Sequence, residues 1–160
     1  VKGAGGVPIM SKTGHAFIKE RMRSEDAIFG GALRAYHYFR DFAYCDTGMV
    51  PWLLIAERIS ATGLPLAQMV EQRIAAYPCS GEINFKVDDA AAVVQRLHDC
   101  YGPEALAEDH TDGLSLEFPR WRFNVRSSNT EPLLRLNIET RADVALLAQK
   151  TTELRELITA

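Results

Sequence analysis

A short polar segment, Arg126-Ser127-Ser128-Asn129-Thr130-Glu131-Pro132, separates two stretches in which apolar and polar residues alternate. Alternation with a period of two is typical of strands that bury one face. The apolar positions of the two stretches are Trp121, Phe123, Val125, Leu134, Leu136 and Ile138. The pattern therefore predicts two strands with a common apolar face and a tight polar loop held between them.

The polar loop carries the kinds of group that bind a phosphate. Arg126 brings a planar guanidinium group, and Ser127, Ser128, Asn129 and Thr130 add hydroxyl and amide groups. A phosphate is bound best by several converging donors and a bidentate partner. An ordinary polar turn with a surface arginine is the alternative, because Ser, Thr and Asn favour turns through local hydrogen bonds. The loop alone leaves both interpretations open.

Three segments, in order along the chain, resemble one enzyme family. The loop at 126–132 and the Leu-Leu-Arg-Leu-Asn-Ile-Glu that follows resemble the C-terminal phosphate-binding loop of the α-D-phosphohexomutases. These are the phosphomannomutase and phosphoglucomutase enzymes. Residues 11–19 are similar to the Lys-Thr-Gly-His segment of the family's third domain, and residues 29–42 lie where the family carries its sugar-recognition loop. The resemblance covers essentially the whole chain and is greatest to bacterial bifunctional enzymes that supply polysaccharide synthesis.

A boundary is predicted near Pro78, where the apolar pattern changes. In the region 1–77, short strands at 6–10 and 27–29 alternate with helical patterns, which implies a parallel sheet of βαβ units. A helix over 47–61 is apolar on most sides, and such a helix is expected to be buried. The resemblance identifies this region as an α/β fragment, the C-terminal part of a truncated sugar-binding domain.

The region 78–160 has the pattern of an α+β domain. Strands are predicted at 83–87 and 114–118, in addition to the two that flank the polar loop. One helix follows a cap at Asp88 or Asp89, and the last helix starts near Arg141. The prediction is a four-stranded, mainly antiparallel sheet with two helices on one face. The resemblance implies that this is the phosphate-binding C-terminal domain.

The resemblance also implies a reaction and a set of phosphate ligands. In the family a phosphoryl group moves between O1 and O6 of a hexose, mannose or glucose, through a phosphoserine and a bisphosphorylated sugar. The matching positions assign the non-reacting phosphate to Arg126, Ser128, Asn129 and Thr130, with Arg126 as the bidentate clamp. His15 matches a family histidine that contacts substrate. The alternative is a histidine at a helix start that is bonded to backbone.

The sugar-binding positions implied by the resemblance are His15, Ala32 and Arg34, and two of them depart from the family pattern. That pattern is Gly-Glu-Met-Ser-x-His, and here Ala32, Arg34 and Tyr36 replace its glutamate, serine and histidine. Ala32 cannot accept a hydrogen bond from a sugar hydroxyl, and Arg34 is bulky and cationic. Altered discrimination between sugars is therefore expected.

No residue of this chain is predicted to be catalytic or to bind a metal. An Asp-x-Asp-x-Asp pattern does not occur, and no serine has a context that marks it as activated. The resemblance places the phosphoserine and the Mg²⁺ loop in domains that precede Val1, and it implies glucose 1,6-bisphosphate as activator. The chain alone is predicted to be inactive, with hexose phosphates and the upstream domains of the same enzyme as its partners.

Composition argues against nucleic-acid and membrane partners. The net charge is −3, which gives no long-range attraction to polyanions. No apolar run approaches the length that spans a bilayer. The three cysteines are odd in number and lack metal-ligand spacing, which favours reduced thiols and a cytoplasmic location.

Two other functions are compatible with parts of the pattern. A non-catalytic anion- or nucleic-acid-binding module is one, because four arginines are expected to share a sheet edge near Trp121: Arg120, Arg122, Arg126 and Arg135. Trp121 alternates out of phase with these arginines, however, which places it in the core. A degenerate regulatory or interaction domain is the other, and it is favoured if the changes in the sugar loop are natural.

Overall fold

A computed structural model of the protein describes residues 1–32, 35–128 and 133–160. The chain forms two compact units, Val1–Leu66 and Ala67–Ala160. This division lies ahead of the boundary predicted near Pro78. The assignment of domains to 1–77 and 78–160 stays a prediction.

The first unit contains two helices and a three-stranded sheet whose order is β1-β2-β3. Its elements are α1 (His15–Ser24), β1 (Phe29–Gly31), β2 (His37–Phe39), β3 (Cys45–Asp46) and α2 (Met49–Thr62). Both strand pairs are antiparallel, so the predicted parallel sheet is wrong for the described residues. Residues 6–10 are exposed and form no strand. Short loops join the strands that do form, and such loops permit only antiparallel pairing.

A small core fixes α1 on the sheet of the first unit. Ile18 and Met22 of α1 pack with Tyr38 of β2. Gly30 of β1 allows the close approach, because a Cβ atom there would lie 2.6 Å from the Met22 sulfur. The packing places His15, the first residue of α1, beside the end of β2.

Helix α2 forms close to its predicted range, but it buries none of its residues. Trp52, for example, is 60% exposed, and Leu53 and Leu54 are also exposed. The expectation of a buried helix is therefore not met within the described residues. A helix that is apolar on most sides is expected to pack against other elements. The described part of this unit does not bury α2 in this way.

The second unit contains three helices and a five-stranded sheet of order β4-β8-β7-β6-β5. The helices are α3 (Leu66–Ala76), α4 (Ala90–Tyr101) and α5 (Val144–Thr159). The strands are β4 (Ile83–Phe85), β5 (Ala107–Asp109), β6 (Leu114–Glu117), β7 (Trp121–Ser127) and β8 (Leu134–Thr140). All pairs are antiparallel, as expected, but the predicted number of four strands is wrong. The strand that was not predicted, β5, is a short strand at the edge of the sheet. Its residues are Ala, Glu and Asp, which are poor strand formers.

The core of the second unit lies between the sheet and helices α4 and α5. The alternating apolar positions of β7 and β8 are all buried there, as predicted, together with Leu97 of α4 and Leu154 of α5. Each helix begins at an aspartate cap. The Asp89 carboxylate accepts from the Ala92 N–H at 2.9 Å, and the Asp143 carboxylate accepts from the Leu146 N–H at 2.8 Å.

The turn between β5 and β6 lies directly against the end of β7. Gly113 in this turn has a φ of +80°, which is in the left-handed region. A Cβ atom at Gly113 would lie 2.6 Å from the Arg126 Cβ atom and 2.8 Å from its Cα atom. The absence of a side chain at Gly113 therefore lets the turn cover Arg126.

We predict that Gly113→Ala destabilises the protein much more than Gly81→Ala. Gly81 also has a positive φ, +68°, but a Cβ atom there would meet nothing within 4 Å. Gly81→Ala should cost about 1 kcal/mol from backbone strain alone. Gly113→Ala should cost roughly 1–3 kcal/mol more, because the turn must move off β7. Urea unfolding of both variants measures the difference, and equal losses would show that the turn is not tightly seated.

Candidate functional site

Two groups of the residues singled out in the sequence are brought together, one in each unit. The first surrounds Arg126, the second-to-last residue of β7, and the second surrounds His15 at the start of α1. Each group is described within its own unit.

Arg126 and Arg135 lie opposite each other in the register of β7 and β8. Alternation places both on the sheet face that points away from the core. Even so, Arg126 is only 6% exposed and Arg135 only 5% exposed. The sequence predicted Arg126 on the polar face, but it did not indicate that this end of the face is covered. Two buried cations side by side require compensation by negative charge or by hydrogen-bond acceptors.

Glu82 supplies that compensation, because its carboxylate bridges the two guanidinium groups. Its Oε2 atom lies 3.2 Å from Arg126 Nη2, and its Oε1 atom lies 3.4 Å from Arg135 Nη1. Glu82 immediately precedes β4, and β4 pairs with β8. Sequence reasoning missed this residue, since its role depends on the pairing of two strands about fifty residues apart in the chain.

The covering turn contributes a second carboxylate. Asp112 Oδ2 lies 3.9 Å from Arg126 Nε. The turn is held by Asn124 of β7, whose side-chain amide donates to the Asp112 carbonyl at 2.8 Å and to Ser115 Oγ at 2.9 Å. Arg126 is thus fixed in place by acids from two separate segments, and its orientation is set before any ligand arrives.

One further polar group lies on this face. Asn137, opposite Asn124 in the register, has a buried side-chain nitrogen with no hydrogen-bond partner among the described residues. A buried donor without a partner in a native protein requires an explanation, such as an ordered water or an ion. Asn137 was not singled out from the sequence, where it read as an ordinary outward-facing strand position.

The described ends of the polar loop are joined by a backbone hydrogen bond. The Ser128 N–H donates to the Leu133 carbonyl at 2.8 Å, which extends the β7–β8 pairing past the ends of the two strands. Asn129 and Thr130, which were predicted to bind phosphate, lie outside the described residues. Of the four predicted phosphate ligands, the structure therefore places Arg126, near the end of β7, and Ser128, the residue that follows β7.

His15 is held by a side chain rather than by backbone. Its Nδ1 atom lies 2.8 Å from the Tyr38 hydroxyl and 3.7 Å from Asp46 Oδ1. The Tyr36 ring meets the imidazole edge-on at a centroid distance of 4.4 Å. Burial raises the pKa of the Tyr38 hydroxyl, and the nearby Asp46 and Tyr36 raise it further. The imidazole is about half exposed, so one side of it faces outward from this cluster.

The altered sugar loop ends at Tyr36, whose ring contacts His15. The Ala32 N–H donates to the Tyr36 carbonyl at 3.0 Å, which closes the β1–β2 hairpin. Ala32 is partly buried against the small core of the first unit. Arg34 lies outside the described residues. Of the three predicted sugar-binding positions, His15 and Ala32 are placed, and Tyr36 connects them.

The surface around Trp121 does not suit base stacking. Trp121 is buried and its ring stacks on Phe118 at a centroid distance of 4.4 Å. Lys150 Nζ lies 5.0 Å from the centre of the Trp121 ring. Arg120 forms an ion pair with Asp143. The nucleic-acid alternative requires an exposed aromatic face, and Trp121 does not provide one.

Among the described residues, no group of three or more His, Cys, Asp or Glu side chains is arranged to hold a metal ion. In the same part of the chain, none of the helices has the length and apolarity to cross a membrane.

Comparison with known proteins places both units in one family of enzymes. Residues 1–77 match the sequence model for the phosphoglucomutase/phosphomannomutase alpha/beta/alpha domain III. Residues 82–157 match the model for the phosphoglucomutase/phosphomannomutase C-terminal domain. The two matches follow each other along the chain and together account for nearly all of it.

Individual relatives agree with the family matches. The chain is 60% identical over 158 residues to "Phosphohexose mutases" of Xanthomonas campestris pv. campestris, covering 99% of this chain and 35% of the relative. It is 57% identical to a phosphomannomutase of Salmonella montevideo, with the same coverage. A crystal structure of a phosphoglucomutase/phosphomannomutase family protein from Burkholderia thailandensis is similar, with a TM-score of 0.78 and 25% identity, covering 99% of this chain and 33% of that one. The chain thus spans about a third of the length of these relatives.

We predict that Glu82→Gln destabilises the second unit, whereas Glu117→Gln does not do so appreciably. Glu82 neutralises two buried guanidinium groups, and loss of a charged hydrogen-bond acceptor there should cost about 1–3 kcal/mol. Glu117 pairs with Arg141 at 2.9 Å, but both side chains are largely exposed, so its loss should cost about 0–1 kcal/mol. Urea unfolding at neutral pH measures both variants. Similar small losses would mean that Glu82 does not stabilise the arginine pair.

Proposed function

This chain belongs to the phosphoglucomutase/phosphomannomutase family, and we propose that it is the C-terminal, substrate-binding part of a hexose-phosphate mutase. The complete enzyme interconverts hexose 1-phosphate and hexose 6-phosphate, with mannose or glucose as the sugar. The phosphoryl group passes through a phosphoserine and a bisphosphorylated sugar. The upstream part of the longer enzyme supplies that serine and is the chain's main partner.

The observation that carries the proposal is the buried, acid-anchored guanidinium group of Arg126 beside the polar loop. Arg126 is the clamp for the phosphate that is not being transferred. Its guanidinium has five N–H donors, which is more than the contacts with Glu82 and Asp112 use. Ser128, Asn129 and Thr130 complete the site with hydroxyl, amide and backbone donors.

The positive and negative charges around Arg126 cancel, so the site should select anions by hydrogen-bond geometry rather than bind any anion. Arg126 and Arg135 bring two positive charges, and Glu82 and Asp112 bring two negative ones. An arriving phosphate therefore gains little from net charge and depends on directional hydrogen bonds from a preorganised fork. Phosphoryl transfer relies largely on such positioning and on local neutralisation of charge.

The sugar is read in the first unit, at His15 and at the loop positions Ala32 and Arg34. An imidazole N–H of His15 contacts a sugar hydroxyl or a phosphate oxygen. Ala32 offers no side-chain acceptor, so one sugar hydroxyl has a weaker partner here than in relatives that carry glutamate. A lost hydrogen bond of this kind costs about 0.5–1.5 kcal/mol of discrimination.

Mg²⁺ and glucose 1,6-bisphosphate are the proposed cofactor and activator of the complete enzyme. The described residues contain no acidic cluster that would hold Mg²⁺, so we assign none of this chain's side chains to the metal. The proposed location of the enzyme is the cytoplasm, where hexose phosphates are made and used.

We predict that the chain binds phosphate weakly at the loop and that Arg126 is required. Titration with glucose 1-phosphate should shift the backbone amide resonances of Ser128, Asn129 and Thr130. Arg126→Ala should abolish these shifts. Arg126→Lys should lower the affinity for glucose 1-phosphate at least tenfold, because lysine keeps the positive charge but lacks the planar, bidentate guanidinium group.

Arg122→Ala is the matched control for this titration. Arg122 lies on the same strand and the same outer face, two alternations away from Arg126, and its loss should leave the affinity unchanged. Shifts that cluster around Arg122 instead would identify general polyanion attraction and would exclude the loop as the phosphate site.

We also predict that the purified chain has no mutase turnover of its own. A coupled assay with glucose 1-phosphate, Mg²⁺ and glucose 1,6-bisphosphate should give the background rate. The reason is that the proposed phosphoserine and metal ligands belong to the upstream part of the enzyme. Mg²⁺-dependent turnover by the chain alone, abolished by Arg126→Ala, would mean that a nucleophile lies within these residues.

A further inference from the structure

The Tyr38 hydroxyl is a buried polar group whose hydrogen-bond partner is the His15 imidazole. Tyr38 is fully buried in the core of the first unit, and its oxygen lies 2.8 Å from His15 Nδ1. A phenol and an imidazole can each donate or accept in such a contact, depending on the tautomer of the histidine. The direction of this hydrogen bond therefore decides which ring nitrogen of His15 carries the proton.

The surroundings favour the tyrosine as donor. If His15 Nδ1–H donated to Tyr38, the phenolic proton would need another acceptor, and Asp46 is the other acidic side chain at this cluster. Among the described residues, however, the Tyr38 hydroxyl makes no hydrogen bond to Asp46, which acts on it through its charge alone. Burial also raises the pKa of the Tyr38 hydroxyl, so the phenol keeps its proton. Donation from Tyr38 to Nδ1 satisfies both groups with one bond.

We propose that Tyr38 is a positioning residue that holds His15 as the Nε2–H tautomer, so that a single N–H donor faces a hydroxyl or phosphate oxygen of the hexose phosphate. Contact between His15 and substrate rests on the proposed function. The tautomer itself does not, because it follows from the geometry of Tyr38, His15 and Asp46. The edge-on ring of Tyr36, at 4.4 Å, restricts rotation of the imidazole. With Nδ1 bonded to Tyr38, Nε2 is the ring nitrogen left for a ligand.

Because Asp46 lies near Nδ1, the Tyr38 hydroxyl is needed to keep His15 in the Nε2–H tautomer. A carboxylate close to Nδ1 attracts a proton on that nitrogen, which would leave Nε2 as an acceptor. Without the Tyr38 hydroxyl, the Asp46 carboxylate is still 3.7 Å from Nδ1 and is available as its partner. Tyr38→Phe should therefore change the major neutral tautomer of His15 from Nε2–H to Nδ1–H.

The experiment is a long-range ¹H–¹⁵N spectrum of the chain with ¹⁵N-labelled histidine, recorded at a pH where the imidazoles are neutral. His15→Gln assigns the signal among the four histidines of the sequence. The wild-type chain should show the Nε2–H pattern for His15, and Tyr38→Phe should show the Nδ1–H pattern. Tyr44→Phe is the matched control, because the Tyr44 hydroxyl bonds Asp26 rather than His15 and its loss should leave the tautomer unchanged.

Two outcomes would overturn the proposal. One is an Nδ1–H pattern in the wild-type chain, and the other is an unchanged pattern in Tyr38→Phe. If Tyr38→Phe does not fold, Asp46→Asn provides the second test. It removes the competing carboxylate and should leave the Nε2–H pattern intact, whereas a switch of tautomer would show that Asp46 and not Tyr38 sets it.

The same spectra separate this inference from the proposed function. Glucose 1-phosphate added to the wild-type chain should shift the His15 Nε2 resonance if His15 contacts substrate. An Nε2–H pattern that does not respond to the sugar phosphate would leave the role of Tyr38 standing and would contradict the assignment of His15 to the substrate.

Discussion

The bridge from one carboxylate to two buried guanidinium groups determines the structure of the end of the sheet where we propose that phosphate binds. Glu82 lies within 3.4 Å of both Arg126 and Arg135 on the sheet face opposite the apolar core. Burial of two adjacent cations would be strongly unfavourable without such a partner. The bridge depends on the pairing of β4 with β8, and it keeps Arg126 in one orientation at the edge of the polar loop. Rigid strands and a fixed charge pair thus present a single guanidinium fork to a ligand.

The first unit uses the same principle with uncharged groups. Tyr38 is a buried polar side chain whose hydroxyl bonds the half-exposed His15 imidazole. In each unit, a side chain from a distant segment of the chain contacts the predicted ligand-binding residue: Glu82 contacts Arg126, and Tyr38 contacts His15. A ligand that requires directional donors is favoured by this arrangement, and we infer that hexose phosphates are the ligands because the chain belongs to a family of hexose-phosphate mutases.

The sequence predicted those parts of the fold that depend on local patterns. Alternation around the loop identified β7, β8 and their buried residues, because each such strand has one covered face. The edge strand β5 was missed because its three residues are poor strand formers. The predicted strand at 6–10 did not form, and α2 remained exposed, because both predictions assumed neighbours that the described chain does not supply. At the proposed site, Arg126 was suggested by the composition of the loop and by the family resemblance, and His15 by the resemblance, and their roles stay predictions. Glu82 and Tyr38 were not, since their roles come from contacts between distant segments.

A co-crystal structure of the chain with glucose 1-phosphate would show directly whether Arg126 binds the phosphate group. We expect a phosphate group within about 2.7–3.2 Å of the Arg126 guanidinium and of loop N–H groups. We also expect Glu82 to bridge Arg126 and Arg135 in that complex, because the orientation of the guanidinium group is set before the ligand binds. A phosphate bound only near Arg120 and Arg122, with Arg126 still enclosed by its acidic partners, would contradict the account.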